Sequence, residues 1–105
     1  MLIAPLSVLI VDDEPLAREG LRLLLAEDPA PWTVREARTA AEAVAAITAQ
    51  RPDLVLLDIQ LPGASGFDVI SAIGADQMPE VVFVTAHDQY AIAAFEISAV
   101  DYLQK

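Results

Sequence analysis

The chain has 105 residues, enough for one domain that buries roughly 60–70% of its unfolded surface. Its formal net charge of −10 argues against direct nucleic-acid binding, which needs basic side chains, and suits a basic partner surface or a bound cation. It has no cysteine, no apolar run near the ~18 residues of a membrane span and no secretion-type N-terminus, all of which fit a cytoplasmic protein without disulfides.

Leu6–Val11 (LSVLIV) is apolar and rich in β-branched residues, which predicts a buried strand. It runs into Asp12, Asp13 and Glu14, and Pro15 then occupies a favourable first helical position. Ala17, Gly20, Leu21 and Leu24 recur at helical spacing and predict the helix's buried face. Pro29 and Pro31 cannot continue that helix, so it should end near Asp28. Trp32–Ala37 (WTVREA) alternates and predicts a strand near a sheet edge. Thr39 with Glu42 predicts a capping box, followed by a helix with Ala40, Ala43, Val44 and Ile47 as its apolar stripe.

Residues 53–57 (DLVLL) predict another apolar strand, ending at Asp58. Residues 61–65 read as a loop around Pro62 and Gly63. Ser65 is the expected N-cap of a helix that buries Gly66, Val69, Ile70 and Ile73. Residues 81–84 (VVFV) predict a strand that ends in Thr85. Asp88 can cap a further helix with Ala91, Ile92 and Phe95 inward, and residues 99–103 (AVDYL) read as a last strand before Gln104 and Lys105.

Strands that alternate with helices of about ten residues imply right-handed crossovers and a parallel sheet. Such sheets bind ligands outside the carboxyl ends of their strands. Those ends carry Asp12 and Asp13, Asp58, Thr85 and, near the fifth, Lys105. Taken singly, each has a plain structural role: helix-dipole acids, a loop cap, a β-branched strand residue, a solvated lysine. Their specificity lies in converging on one edge. Carboxylates without histidine or cysteine point to a hard divalent cation, Mg²⁺ or Mn²⁺. A free carboxylate, a hydroxyl and a lysine around that ion fit phosphoryl transfer, with Asp58 as nucleophile and Thr85 and Lys105 on the phosphoryl oxygens.

The stretches "LIVDDEP", "DLVLLDIQLPGASGFDVI", "VVFVTAHD" and "AVDYLQK" stand in the order of one family and cover nearly the whole chain. The sequence resembles the receiver domain of two-component response regulators. The resemblance implies a flavodoxin-like (CheY-like) five-stranded parallel sheet of order 2-1-3-4-5 with helices on both faces. It implies that Asp58 accepts a phosphoryl group from a sensor histidine kinase. Asp13, Asp58 and the Gln60 backbone carbonyl would ligate Mg²⁺ directly, and Asp12 would do so through water. Thr85 and Lys105 would contact the phosphoryl group, Tyr102 would be the switch aromatic, and Pro62 and Gly66 match family loop positions. Gln60 and His87 stand where the family tunes phosphoryl lifetime. The implied output surface is the face of the fourth helix and fifth strand, including Ala91, Ala94, Phe95 and Ile97, through which copies can self-associate.

The segment "TAHDQYAIAAFEISAVDYLQK" is most similar to receivers joined to a LytTR-type DNA-binding domain, so transcription control is the expected output. Residues 1–105 then form the receiver domain alone. The family continues with a proline and a fifth helix, so the chain reads as truncated after its fifth strand. Ser65 replaces the acid that many members carry before the glycine. Two other functions compete. One is a pseudo-receiver that binds partners without being phosphorylated. The other is a Mg²⁺-dependent phosphatase of the haloacid dehalogenase type, whose two acids would follow the first strand two residues apart rather than side by side. The domain is expected to be a signalling module that catalyses only its own phosphorylation and dephosphorylation.

Overall fold

The structure, a computed structural model, describes residues 6–29, 31–85 and 101–104. Its main strands are β1 (Leu6–Val11), β2 (Trp32–Ala37), β3 (Leu54–Leu57), β4 (Glu80–Thr85) and β5 (Asp101–Gln104). The helices are α1 (Pro15–Glu27), α2 (Ala40–Gln50) and α3 (Gly66–Ile73). All neighbouring strands are parallel, in the order 2-1-3-4-5. This is the expected CheY-like sheet.

β1 is apolar throughout because both of its faces are covered. Leu9 and Val11 join Val55, Leu57 and Phe83 under Ala43 and Ile47 of α2 and Val69 and Ile70 of α3. Val8 and Ile10 join Leu56 and Val84 under Leu21 and Leu25 of α1. Val8 through Val11 are at most 1% exposed, and burying each such side chain contributes about 1.5–3 kcal/mol. β2 lies at the edge, and its alternating sequence leaves one side half-exposed.

Several local expectations change. α1 rests on Leu21 and Leu25, while Gly20 is exposed and Leu24 is 60% exposed. Steps of three and four residues both keep a side chain near one helix face, and here the sheet lies under the step of four. At α2, the Thr39 hydroxyl accepts from the Glu42 N–H at 3.1 Å. The Glu42 carboxylate, however, reaches past Thr39 to the Arg38 N–H at 3.3 Å, so the capping box is not reciprocal. The reciprocal box forms at α3: Ser65 Oγ accepts from Asp68 N–H, and the Asp68 carboxylate accepts from Ser65 N–H at 2.8 Å.

Asp53 stands outside β3, because its carboxylate accepts the Ser7 N–H at 2.8 Å and the Ser7 hydroxyl at 3.2 Å. β4 begins one residue early at Glu80 and takes in Thr85. β5 takes in Gln104, while residues 99 and 100 lie outside the described residues. The expected loop at 61–65 belongs to a small antiparallel hairpin, Gln60–Leu61 with Ala64–Ser65, turned by Pro62 and Gly63. Gly63 has φ +67°, a left-handed conformation that glycine adopts without steric cost. A short 3₁₀ turn, Ala75–Gln77, was not legible. The helix expected from Asp88 falls outside the described residues.

Candidate functional site

Parallel register decides which strand ends meet. Val11 pairs with both Ala37 and Leu57, and Leu57 pairs with Phe83. The residues that follow Val11 and Leu57 are Asp12 and Asp58, which therefore leave neighbouring strands at the same level. Each is anchored by its backbone: Asp12 N–H donates to Ala37 O at 3.1 Å, and Asp58 N–H to Val11 O at 2.9 Å.

Their carboxylates are buried, with Asp12 at 1% and Asp58 at 5% exposure. Asp12 Oδ1 accepts from the Glu14 N–H at 2.9 Å, so the acid also stabilises the entry to α1. Asp58 Oδ1 accepts from the Gln60 N–H at 3.2 Å, which limits rotation of the carboxylate. Asp13 is exposed beside them. One carboxylate oxygen from each of Asp12, Asp13 and Asp58 lies within 4.8 Å of the others. Two unit charges at that separation repel by about 3–4 kcal/mol at an effective dielectric of 20. The donor set is all oxygen, with no imidazole or thiolate, and fits a hard divalent cation.

The segment after Asp58 is held close to α3 by a glycine. Gly66 N–H donates to Ile59 O at 2.7 Å. A Cβ at Gly66 would stand 2.7 Å from the Asp58 carbonyl oxygen and 3.1 Å from Leu57 Cγ. Space, rather than backbone conformation, demands glycine here.

The other site expectations lie at the same edge or beyond description. Thr85 closes β4 opposite Gln104, and Tyr102 pairs with Phe83 along β5. Gln60 sits in the hairpin, exposed, opposite Ser65. His87 and Lys105 lie outside the described residues. Sequence reasoning missed Arg18, whose Nη1 donates to the Asp12 carbonyl at 2.8 Å. Nothing in its local pattern separates it from the solvent-facing charges of α1. A groove of ≈ 440 Å³ between α2 and α3, lined by Val44, Ile47, Ile73 and Met78, includes none of the three acids.

Comparison with known proteins agrees with this geometry. The family model described as "Response regulator receiver domain" matches residues 8–105. Transcriptional regulatory protein BtsR of Salmonella typhi is 49% identical over 100 residues, covering 95% of this chain and 42% of that protein. Sensory transduction protein LytT of Enterococcus faecalis is 48% identical over 101 residues, again 95% of this chain and 42% of that protein. The chain thus spans well under half the length of these relatives. Among solved structures, the response regulator TrrA of Thermotoga maritima in complex with Mg(2+)-BeF superposes with a TM-score of 0.81 at 32% identity. The overlap covers 95% of this chain and 86% of that one. The match is to a signalling family rather than to an enzyme family. A sheet that brings buried acids from its first and third strands to one edge, matched over nearly its whole length, places this chain in the receiver domain family of two-component response regulators, close to BtsR and LytT.

Proposed function

We propose that Asp58 is the phosphoacceptor, receiving its phosphoryl group from a phosphohistidine on a sensor histidine kinase. The observation that carries this reading is the convergence of Asp12, Asp13 and Asp58 within 4.8 Å at the strand ends. An Asp58 carboxylate oxygen attacks phosphorus, the P–N bond breaks, and the imidazole leaves with the electron pair. The Gln60 N–H on Oδ1 holds the carboxylate for that approach. Asp13, Asp58 and the Gln60 carbonyl would hold Mg²⁺ or Mn²⁺, with Asp12 acting through water. The ion would offset negative charge on the transferring group. Thr85 and Lys105 take the remaining phosphoryl oxygens, and Gln60 and His87 set how readily water reaches the product. The domain catalyses only its own phosphorylation and dephosphorylation.

The added charge draws Thr85 toward the phosphoryl group and lets Tyr102 turn inward, re-posing the face of the fourth helix and β5. That face pairs with a second copy or an output domain. The name of the relative, Transcriptional regulatory protein BtsR, supports transcription control as the output. DNA binding would belong to an output domain, because the receiver's net charge of −10 disfavours contact with nucleic acid. No helix among the described residues is long and apolar enough to cross a membrane. The domain would act in the cytoplasm, where a sensor kinase's phosphohistidine would meet Asp58.

Intact-mass spectrometry after incubation with acetyl phosphate tests the reading. The protein should gain one phosphoryl group only with Mg²⁺ present and only with Asp58 intact, so Asp58→Asn should gain none. A folded protein that gains nothing would be a pseudo-receiver.

A further inference from the structure

The Asp12 peptide groups are gripped on both sides, by β2 on one and by Arg18 of α1 on the other. On the amino side, Asp12 N–H donates to Ala37 O at 3.1 Å. On the carboxyl side, the Asp12 carbonyl accepts Arg18 Nη1 at 2.8 Å. Arg18 does not float: its Nε donates to Glu36 Oε1 at 2.8 Å, and its side chain is only 12% exposed. The other oxygen of Glu36 takes Arg22 Nη1 at 2.9 Å, so a second arginine of α1 holds the Glu36 carboxylate in place.

The Asp12 carbonyl belongs to the planar peptide that joins Asp12 to Asp13. Turning that plane changes ψ of Asp12 and φ of Asp13, and so swings the Asp13 carboxylate relative to Asp12 and Asp58. We infer that Arg18, anchored by Glu36, is a positioning residue that orients the Asp12–Asp13 peptide and thereby sets the Asp13 carboxylate in the acidic cluster. The inference rests on the proposed reading of that cluster as a Mg²⁺ site.

Charge and geometry predict opposite signs here. The guanidinium is positive and close to a cation site, so charge alone would make its removal tighten Mg²⁺ binding. Loss of positioning would weaken it. Arg18→Lys separates the two, because it keeps the charge but offers one nitrogen where two separate donors are used.

The experiment is calorimetric titration of Mg²⁺ in 0.15 M KCl, with Asp58→Asn as the blank for diffuse binding to an acidic surface. Thermal unfolding in EDTA confirms that each variant is folded. Arg18→Lys should raise the Kd about tenfold, the lower end for groups that orient metal ligands. In a Glu36→Ala background, where the arginine has lost its anchor, the same change should alter the Kd by less than about twofold. A Kd for Arg18→Lys within twofold of wild type, or tighter, would overturn the inference while leaving the metal site standing. A wild type that binds no Mg²⁺ above the blank would overturn the site reading and this inference with it. Should Arg18→Lys fail to fold, the metal-free Glu36→Ala protein decides through the Asp13 backbone amide resonance. A shift supports the brace, and an unmoved resonance refutes it.

Discussion

Gly66→Ala offers a test of the packing around Asp58, the proposed phosphoacceptor. The added methyl would stand 2.7 Å from Asp58 O, 3.1 Å from Leu57 Cγ and 3.3 Å from Ile59 Cα. Two of those three atoms are backbone and cannot rotate away, so the start of α3 or the end of β3 must shift. Overpacking of this kind costs about 1–3 kcal/mol. Alanine recovers part of this, about 0.5–1 kcal/mol in a helix interior and less at its first residue. A net loss of about 1–2 kcal/mol remains, and each kcal/mol lowers the midpoint of a domain near this size by about 4–8 °C. Gly20→Ala is the matched control. Gly20 is exposed in α1 with nothing within 4 Å of its would-be Cβ, so the same change should stabilise by about 0.5–1 kcal/mol. Thermal unfolding by circular dichroism in EDTA reads both signs. Because the displaced atom is the Asp58 carbonyl oxygen, Gly66→Ala should also slow phosphorylation by acetyl phosphate. A Gly66→Ala protein as stable as wild type would refute the steric argument.

Asp13→Asn should raise metal-free stability by about 1–2 kcal/mol, since its exposed charge lies within 4.8 Å of both Asp12 and Asp58 and repels each by about 0.9 kcal/mol even through water. It should also lose the Mg²⁺-dependent stabilisation, which for wild type should reach about 2.7 kcal/mol at a hundred times the Kd. Ser65→Ala breaks the reciprocal cap of α3 and should cost about 1 kcal/mol in a denaturant melt. Leu21→Ala should cost about 2–4 kcal/mol, whereas Leu24→Ala, three residues along the same helix, should stay within about 0.5 kcal/mol of wild type. Equal losses for the two leucines would contradict the assigned face of α1.

Many features decided by short-range chemistry were legible. β1 and β2 begin and end where the apolar and alternating runs do, and Pro15 and Ser65 mark helix starts as their local bonding requires. The parallel alternation of strands and helices was enough to bring Asp12, Asp13 and Asp58 to one edge, because every strand then ends on the same side. Some failures were local, such as Glu42 reaching Arg38 instead of closing a box on Thr39, but the larger ones depended on a partner distant in the chain. Leu24 matches helical periodicity as well as Leu25, and only the position of the sheet chooses between them. Asp53 looks like a strand residue until Ser7 of β1 draws its carboxylate away. Arg18 and Glu36 are 18 residues apart, and each reads as an ordinary surface charge in its own element. The sequence by itself determined the alternation of strands and helices and which acids end the strands, because patterning and turn chemistry are written in neighbouring residues, while the order 2-1-3-4-5 was legible only through the family resemblance. Only the tertiary structure decided the contacts that aim those acids, the glycine-tight approach at Asp58 and the arginine grip on Asp12. Such contacts join residues whose separation along the chain carries no periodic signal.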